Sequence, residues 1–481
     1  MTYMHSVVLQ SEERLSDRIR IQEAVVGGRA NGLNAHLSDN RADGQVTELR
    51  LWGNPQHLDF LRTSLRDKFT EEKIHVLVTK RNAGSFTYDG IDTGGERVAH
   101  EIEERLDELA QSGHAIRKIS VIGYSLGGLI ARYAIGLLYS KGLFETVTPV
   151  NFTTFATPHL GVRTPKRGYF SNAFNVLGAR TLSTSGRQMF LIDSFRDTGR
   201  PLLSVLADTD SIFIQGLAQF KNRSLYANTI NDKTVAYFTA GISQTDPFER
   251  IDEFKVNYLD GYEDVVVDPQ HPVDAKEPEE LPVFRQRLSI GTRAFFRKIP
   301  TIAFFIIFVP IGTTLLLSNA AIQSVRSRQR LRLHETGMAG IDVKGYRIPL
   351  MITSARQEME DMYENMNNRQ GQDYLGAGEE ELASPTQQRA FSFSRQADSA
   401  NSKADLTATE KSEPQLEFPT LALTEHQFKM IEHLDNVGFK KYPIHIKNVG
   451  HTHAAIIRRM DVPRFDEGHI VARHWLDNFE V

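Results

Sequence analysis

The sequence predicts an α/β protein built on a mostly parallel sheet with helices on both faces. Three observations carry that expectation. Between about residues 50 and 250, short apolar runs alternate with amphipathic stretches, the pattern of strands joined by crossover helices. A glycine-flanked serine, Gly123-Tyr124-Ser125-Leu126-Gly127, sits between one apolar run and the helical stretch after it. The composition, 40% hydrophobic and 24% charged over 481 residues, allows one large catalytic domain with insertions, or two to three average domains.

The elements follow in chain order. Residues 1 to about 45 are polar and show no period, so no regular element is expected there. Ile74 to Val78 reads as a strand. Gly95 to Leu109 reads as a helix, because Val98, Ile102, Leu106 and Leu109 recur at four, four and three. Ile119 to Gly123 is a second strand, followed by a helix from Leu126 to Tyr139. Val150 to Phe155 and Leu225 to Thr229 are further strands. After a long interruption, the pattern returns at about residue 420. A helix is expected near His426 to Leu434, a strand at Ile444 to Ile446 and a last helix at Val471 to Phe479. The implied division is an irregular 1–45, a catalytic core over 46–283 and a hydrophobic insertion over 284–333. A linker over 334–419 and a C-terminal part of the core over 420–481 complete it. Residues 365 to about 417 are rich in Gln, Asn, Ser, Ala and Glu and are expected to be disordered.

Bulk chemistry removes several function classes. With 56 basic and 60 acidic residues the net charge is −4, which gives no electrostatic reason to expect nucleic acid as a partner. There are no cysteines, so disulfides, thiolate metal sites and a cysteine nucleophile are excluded, and an intracellular setting is the compatible expectation. The first 30 residues hold scattered charges and no apolar core of a secretory signal.

The serine carries the chemistry. A G-x-S-x-G serine on a tight strand-to-helix turn has a strained backbone, and its neighbours must be small to avoid collision. The turn exposes the hydroxyl while the helix start aims backbone N–H groups at a developing oxyanion. The flanking strand and helix make Ser125 the candidate nucleophile of an α/β-hydrolase arrangement, with the N–H of Leu126 as one oxyanion donor. A serine needs a base and an orienting acid, which in this arrangement follow in the order serine, acid, histidine. Asp232, in the loop directly after the strand at Leu225 to Thr229, is the candidate acid, because ligands and catalytic groups collect at the carboxyl ends of such strands. Asp246 is its rival. For the base, the loop after the last strand offers His451 and His453, which position alone does not separate. Their H-x-H spacing could also suit zinc, but no H-E-x-x-H motif or second cluster accompanies it, so no metal or organic cofactor is expected.

Several stretches together resemble the eukaryotic serine esterase family, whose fungal members are lipid-droplet-type phospholipases and monoacylglycerol lipases. They are Asn82 to Asp92 with Gly95-Glu96-Arg97, then Gly123 to Tyr133, then Phe155-Ala156-Thr157-Pro158-His159-Leu160-Gly161-Val162. The likeness covers about residues 51 to 250. His453-Ala454-Ala455-Ile456-Ile457 resembles the family's histidine block, which favours His453 as base. His159 then reads as structural or pocket-lining. In the family a hydrophobic strand ending in His-Gly precedes Leu-Trp-Gly-Asn-Pro and supplies the second oxyanion N–H. Here Leu51-Trp52-Gly53-Asn54-Pro55 is intact, so Leu51 is the candidate for that donor. However, Leu49-Arg50 stands in place of His-Gly, and residues 43–48 do not read as a buried strand.

From Ile299 to Val325 there are 27 residues without a charge. That is long enough to span a bilayer, which needs about 20. Pro310 and Gly312 interrupt it, leaving halves of about 11 residues, roughly 16 Å each as helix. Arg293, Arg297 and Lys298 precede it and Arg326, Arg328, Arg330 and Arg332 follow it, whereas one span would place its positive excess on one side. The run is therefore expected to be a re-entrant hairpin holding the protein on a membrane or lipid-droplet surface. The resulting expectation is an esterase of glycerolipids or phospholipids. The alternatives are a membrane-attached pseudoenzyme that binds lipid, or an acyltransferase.

Overall fold

A computed structural model describes residues 3–11, 55–70, 73–163, 183–262, 264–276, 322, 325–338, 340–341, 343–346 and 418–481. In chain order its strands are β1 (Tyr3–Ser11), β2 (Ile74–Val78), β3 (Ile116–Ser125), β4 (Thr148–Phe155), β5 (Asn222–Asn228), β6 (Phe254–Val256), β7 (Val273–Ala275) and β8 (Lys440–Ile444). The helices are α1 (Asp59–Lys68), α2 (Ile91–Gln111), α3 (Leu126–Ser140), α4 (Thr184–Met189), α5 (Leu202–Leu206), α6 (Ile212–Ala218) and α7 (Tyr237–Ala240). They continue with α8 over residues 325–335, then α9 (Glu425–Val437), α10 (Thr452–Ala455) and α11 (Glu467–Asp477).

Six strands form one sheet in the order β2-β1-β3-β4-β5-β8. Five of them run parallel: β3 pairs with β4, β4 with β5, and β5 with β8, all in parallel register. β1 is antiparallel to both neighbours, which leaves β2 parallel to β3. The alternation of side chains along each strand divides the core in two. Ile119, Val121, Phe152, Leu225 and Ala227 face the cluster that α2, α3 and α9 complete. Ile122, Tyr124, Phe155 and Tyr226 face the other, with α1 and α11. Trp475 of α11 packs edge-on against Phe155, 5.8 Å between ring centroids, and closes that second layer. Helices thus cover both faces, as a parallel sheet requires.

Most expected elements are present with shifted ends. α2 begins at Ile91 rather than Gly95, since Gly94 and Gly95 are tolerated where the helix presses on α3: a Cβ on Gly95 would lie 2.5 Å from the Tyr133 ring. The last strand ends at Ile444 instead of beginning there, and the last helix starts at Glu467. The N-terminus differs outright: Tyr3–Ser11 is a strand, although the sequence there predicts no regular element. Its partners are β2 and β3, more than 60 residues away in sequence, and the ladders to both hold it extended. The 299–321 part of the uncharged run, the segment 365–417 and the residues from 12 to 54 lie outside the described residues. Among the described residues no helix is long and apolar enough to cross a membrane.

Candidate active site

β3 ends at Ser125 and α3 begins at the next residue. Ser125 has φ 55° and ψ −131°, a conformation a non-glycine residue adopts only when its surroundings impose it. The surroundings are visible in two glycines. A Cβ on Gly123 would sit 2.4 Å from the Gly128 Cα, and one on Gly128 would sit 2.2 Å from the Thr157 hydroxyl oxygen. The strand and the helix therefore meet backbone to backbone, and the first turn of α3 lies directly behind the serine. The opening N–H groups of a helix have no partner within it, so the Leu126 amide is available in kind to an anion at Ser125.

The Ser125 hydroxyl lies 3.0 Å from Nε2 of His453, and Nδ1 of the same ring lies 2.9 Å from Oδ2 of Asp232. All three side chains are buried. Sequence separations of 328 and 221 residues are closed by the sheet: β3, β5 and β8 run parallel, so the loops after their carboxyl ends meet at one edge.

Asp232 is held on every side. Its Oδ1 accepts from the backbone N–H groups of Thr234 and Val235, both at 2.9 Å, in a turn entered through the left-handed Asn231. Its Oδ2 accepts from the Asn228 side-chain amide at 2.9 Å. Burial by itself would raise the Asp232 pKa. The His453 charge and hydrogen bond, with the Val235 N–H and Asn228, outweigh it and hold the carboxyl below its ordinary value.

The histidine loop is tied to the acid loop. Thr452 donates through its backbone N–H to the Asn231 carbonyl at 3.2 Å and through its hydroxyl to the Ile230 carbonyl at 2.8 Å. Tyr124, the residue before the serine, donates its hydroxyl to the His453 carbonyl at 2.8 Å and packs its ring 5.1 Å from the imidazole. Sequence reasoning missed Asn228, Thr452 and Tyr124. Only Tyr124 carried a signal, by its place inside the G-x-S-x-G motif.

The rival residues lie elsewhere. Asp246 accepts from the Phe248 N–H at 3.1 Å and closes a turn. His451 is exposed and stacks on His453 with 6.2 Å between centroids, without reaching the serine. His159 is wholly buried, 3.0 Å from the Thr154 hydroxyl and 5.7 Å from the Phe439 ring. Burial first, then Arg132 and Lys441, push its pKa well below the usual value, so it stays neutral and structural. Leu51 lies outside the described residues. Among the described residues no cluster of three or more His, Asp or Glu could hold a metal ion.

The place beside β3 is the informative departure. A parallel strand there would hand its following loop across Ser125. β1 occupies it in the opposite sense, pairing Tyr3 with Ser125 and carrying Ser11 to the far edge of the sheet.

Comparison with known proteins finds one family and several relatives. Residues 50–245 match the family described as "Putative serine esterase (DUF676)", a stretch that contains Ser125 and Asp232 but not His453. The chain is 31% identical over 247 residues to "Putative lipase ROG1" of Saccharomyces cerevisiae, covering 44% of this chain and 34% of that protein. It is 32% identical over 265 residues to "Putative lipase YDL109C" of the same yeast, covering 49% and 38%. To "Putative lipase C4A8.10" of Schizosaccharomyces pombe it is 34% identical over 191 residues, covering 38% and 24%. The chain thus spans between a quarter and two-fifths of the length of these relatives. No solved structure matches it. Over residues 50–245 the chain is thus similar to the putative serine esterase family.

Proposed function

We propose that the protein is a serine carboxylic-ester hydrolase acting on the acyl esters of glycerolipids, with Ser125, His453 and Asp232 as its catalytic residues. The observation that supports it best is the unbroken chain of contacts from the Ser125 hydroxyl through His453 to Asp232. In this reading His453 takes the hydroxyl proton as Ser125 attacks the acyl carbonyl, and Asp232 stabilises the imidazolium that forms. The Leu126 N–H, and Leu51 as the second donor, receive the oxyanion. His453 returns the proton to the departing alcohol oxygen, leaving an acyl-enzyme. A water deprotonated by the same imidazole then releases the fatty acid. No metal or cofactor enters the scheme. The names of the relatives favour a lipid ester. The uncharged run at 299–325 between basic flanks does so too, by giving the site a means of resting on a membrane or lipid-droplet surface.

A second reading has one observation in its favour: the antiparallel β1 beside Ser125. If no loop reaches over the serine, one oxyanion donor is missing, at a rate loss of about 10²- to 10³-fold. The chain would then be a weakened enzyme or a lipid-binding scaffold. A fluorophosphonate probe separates the two, since only an activated serine reacts. The full chain should label and release fatty acid from monoacylglycerol or lysophospholipid, and Ser125→Ala should do neither. Absence of labelling in the unaltered chain, or labelling that survives Ser125→Ala, rejects the hydrolase.

A further inference from the structure

α8 is an inverted surface helix. A helix on a soluble domain ordinarily buries its apolar stripe and shows polar residues to water. Here Ser327, Arg330 and His334, at spacings of three and four, turn inward. Ser327 donates to Asp89 at 2.6 Å, and Arg330 donates to Asp89 at 2.7 Å and to the Ser85 carbonyl at 2.8 Å. His334 lies 2.7 Å from Glu96. Asp89 is completely buried and also receives Arg97 at 2.9 Å. One clamp thus fixes the helix to the start of α2.

What remains outside is apolar and basic. Ile322 is 53% exposed, Val325 57%, Leu333 49% and Met338 74%, and Phe86, whose ring lies 5.1 Å from the Arg330 guanidinium, is 41% exposed. These are five of the six exposed large hydrophobic residues among the described residues. Interleaved with them, Arg326, Arg328 and Arg332 are exposed, and the helix holds a single acid, Glu335 at its end. Clustered apolar exposure beside cations suits an interface whose surface is anionic and whose interior is hydrocarbon. α8 also continues directly from the uncharged run that ends at Val325.

We propose that this outward face of α8, with Phe86 and Met338, is a docking surface for a membrane bearing anionic phospholipid. The arginines bind headgroups while Val325 and Leu333 enter the acyl boundary. Phe86 belongs to the loop that leaves the carboxyl end of β2, the edge at which β3 presents Ser125. Lipid on α8 therefore lies on the same side of the sheet as the nucleophile. The functional importance of the surface rests on the esterase reading, but lipid binding is measurable without it.

The test is flotation of the full chain with vesicles of phosphatidylcholine alone or mixed with phosphatidylserine. Arg326→Gln, Arg328→Gln and Arg332→Gln are combined in one variant, and Val325→Ser and Leu333→Ser in another. None of these residues takes part in the Asp89 clamp. Each arginine near an anionic surface is worth about fivefold in partitioning, so the triple variant should lose about 100-fold on mixed vesicles. Salt should weaken the unaltered chain, and the serine variant should bind both vesicle types less. Equal flotation of the unaltered chain with both vesicle types overturns the proposal. So does a triple variant that floats unchanged on the strength of the 299–325 run, or one whose only defect is lost self-association. Turnover of a water-soluble acetate ester keeps the two readings apart. Flotation without turnover leaves the surface standing and removes the esterase, and turnover without flotation does the reverse.

Discussion

At the scale of single residues, Asp232 concentrates the electrostatics of the site. A buried carboxylate is unfavourable unless it is paired and hydrogen-bonded, and this one has both an imidazole partner and three N–H donors. Asp232→Asn keeps the volume and should lower kcat by about 10⁴-fold, because the amide no longer stabilises the charged ring. The same change carries a pH signature. A carboxyl whose folded pKa lies below its unfolded value stabilises the fold above about pH 4, and this stability is lost as pH falls through the folded value. Urea unfolding should therefore show a gap between the unaltered chain and Asp232→Asn at pH 7 that narrows at pH 3. A gap that widens on acidification would contradict the arrangement. The choice of Asp232 over Asp246 was open to sequence reasoning because only one follows a core strand directly. The choice of His453 over His451 was not open to spacing, since the two differ by the start of α10, whose direction is set by Thr452 bonding across to Ile230 and Asn231.

At the scale of elements, the strand-to-helix turn at Ser125 depends on the close approach of β3 and α3. Gly123 and Gly128 meet with no room for a methyl group, and Gly128 in turn lies against Thr157. Gly123→Ala should destabilise the protein by about 1–3 kcal/mol, as overpacking of a rigid contact does. It should also slow fluorophosphonate labelling, because relief comes only by moving the serine or the helix. Thermal unfolding with probe kinetics checks both, and a variant with unchanged melting and labelling would show that the turn is slacker than described. This element was legible early, because strand, glycines and helix are contiguous in the chain. Element ends were less so. Periodicity places α2 but not its first turn, where Gly94 and Gly95 lower helix propensity and packing against α3 prevails.

At the scale of the whole molecule, β1 holds the sheet together. It lies between β2 and β3, so among the described residues β2 has no other strand partner. Removing residues 1–12 should strip amide-exchange protection from Ile74 to Val78 by on the order of a hundredfold or more, turning a core strand into a locally unfolded one. Protection unchanged in the truncated chain would mean that β2 does not depend on pairing with β1. The clamp between Asp89, Arg97 and Arg330 is of the same kind. It joins residues 241 apart in sequence and sets where the segment after the uncharged run meets the fold.

Local pattern determined the alternation of strands and helices, the serine on its turn, the order of acid and base after it, and the uncharged run between basic flanks. Each of these is written in neighbouring residues, where periodicity, small side chains and charge act at short range. Tertiary structure alone decided that Tyr3–Ser11 becomes an antiparallel strand inside the sheet, how Thr452 fixes the loop that turns His453 to the serine, and that α8 turns its arginine and histidine inward. Those outcomes depend on partners distant in sequence, whose edges, carbonyls and buried carboxylates come into place only once the sheet has formed.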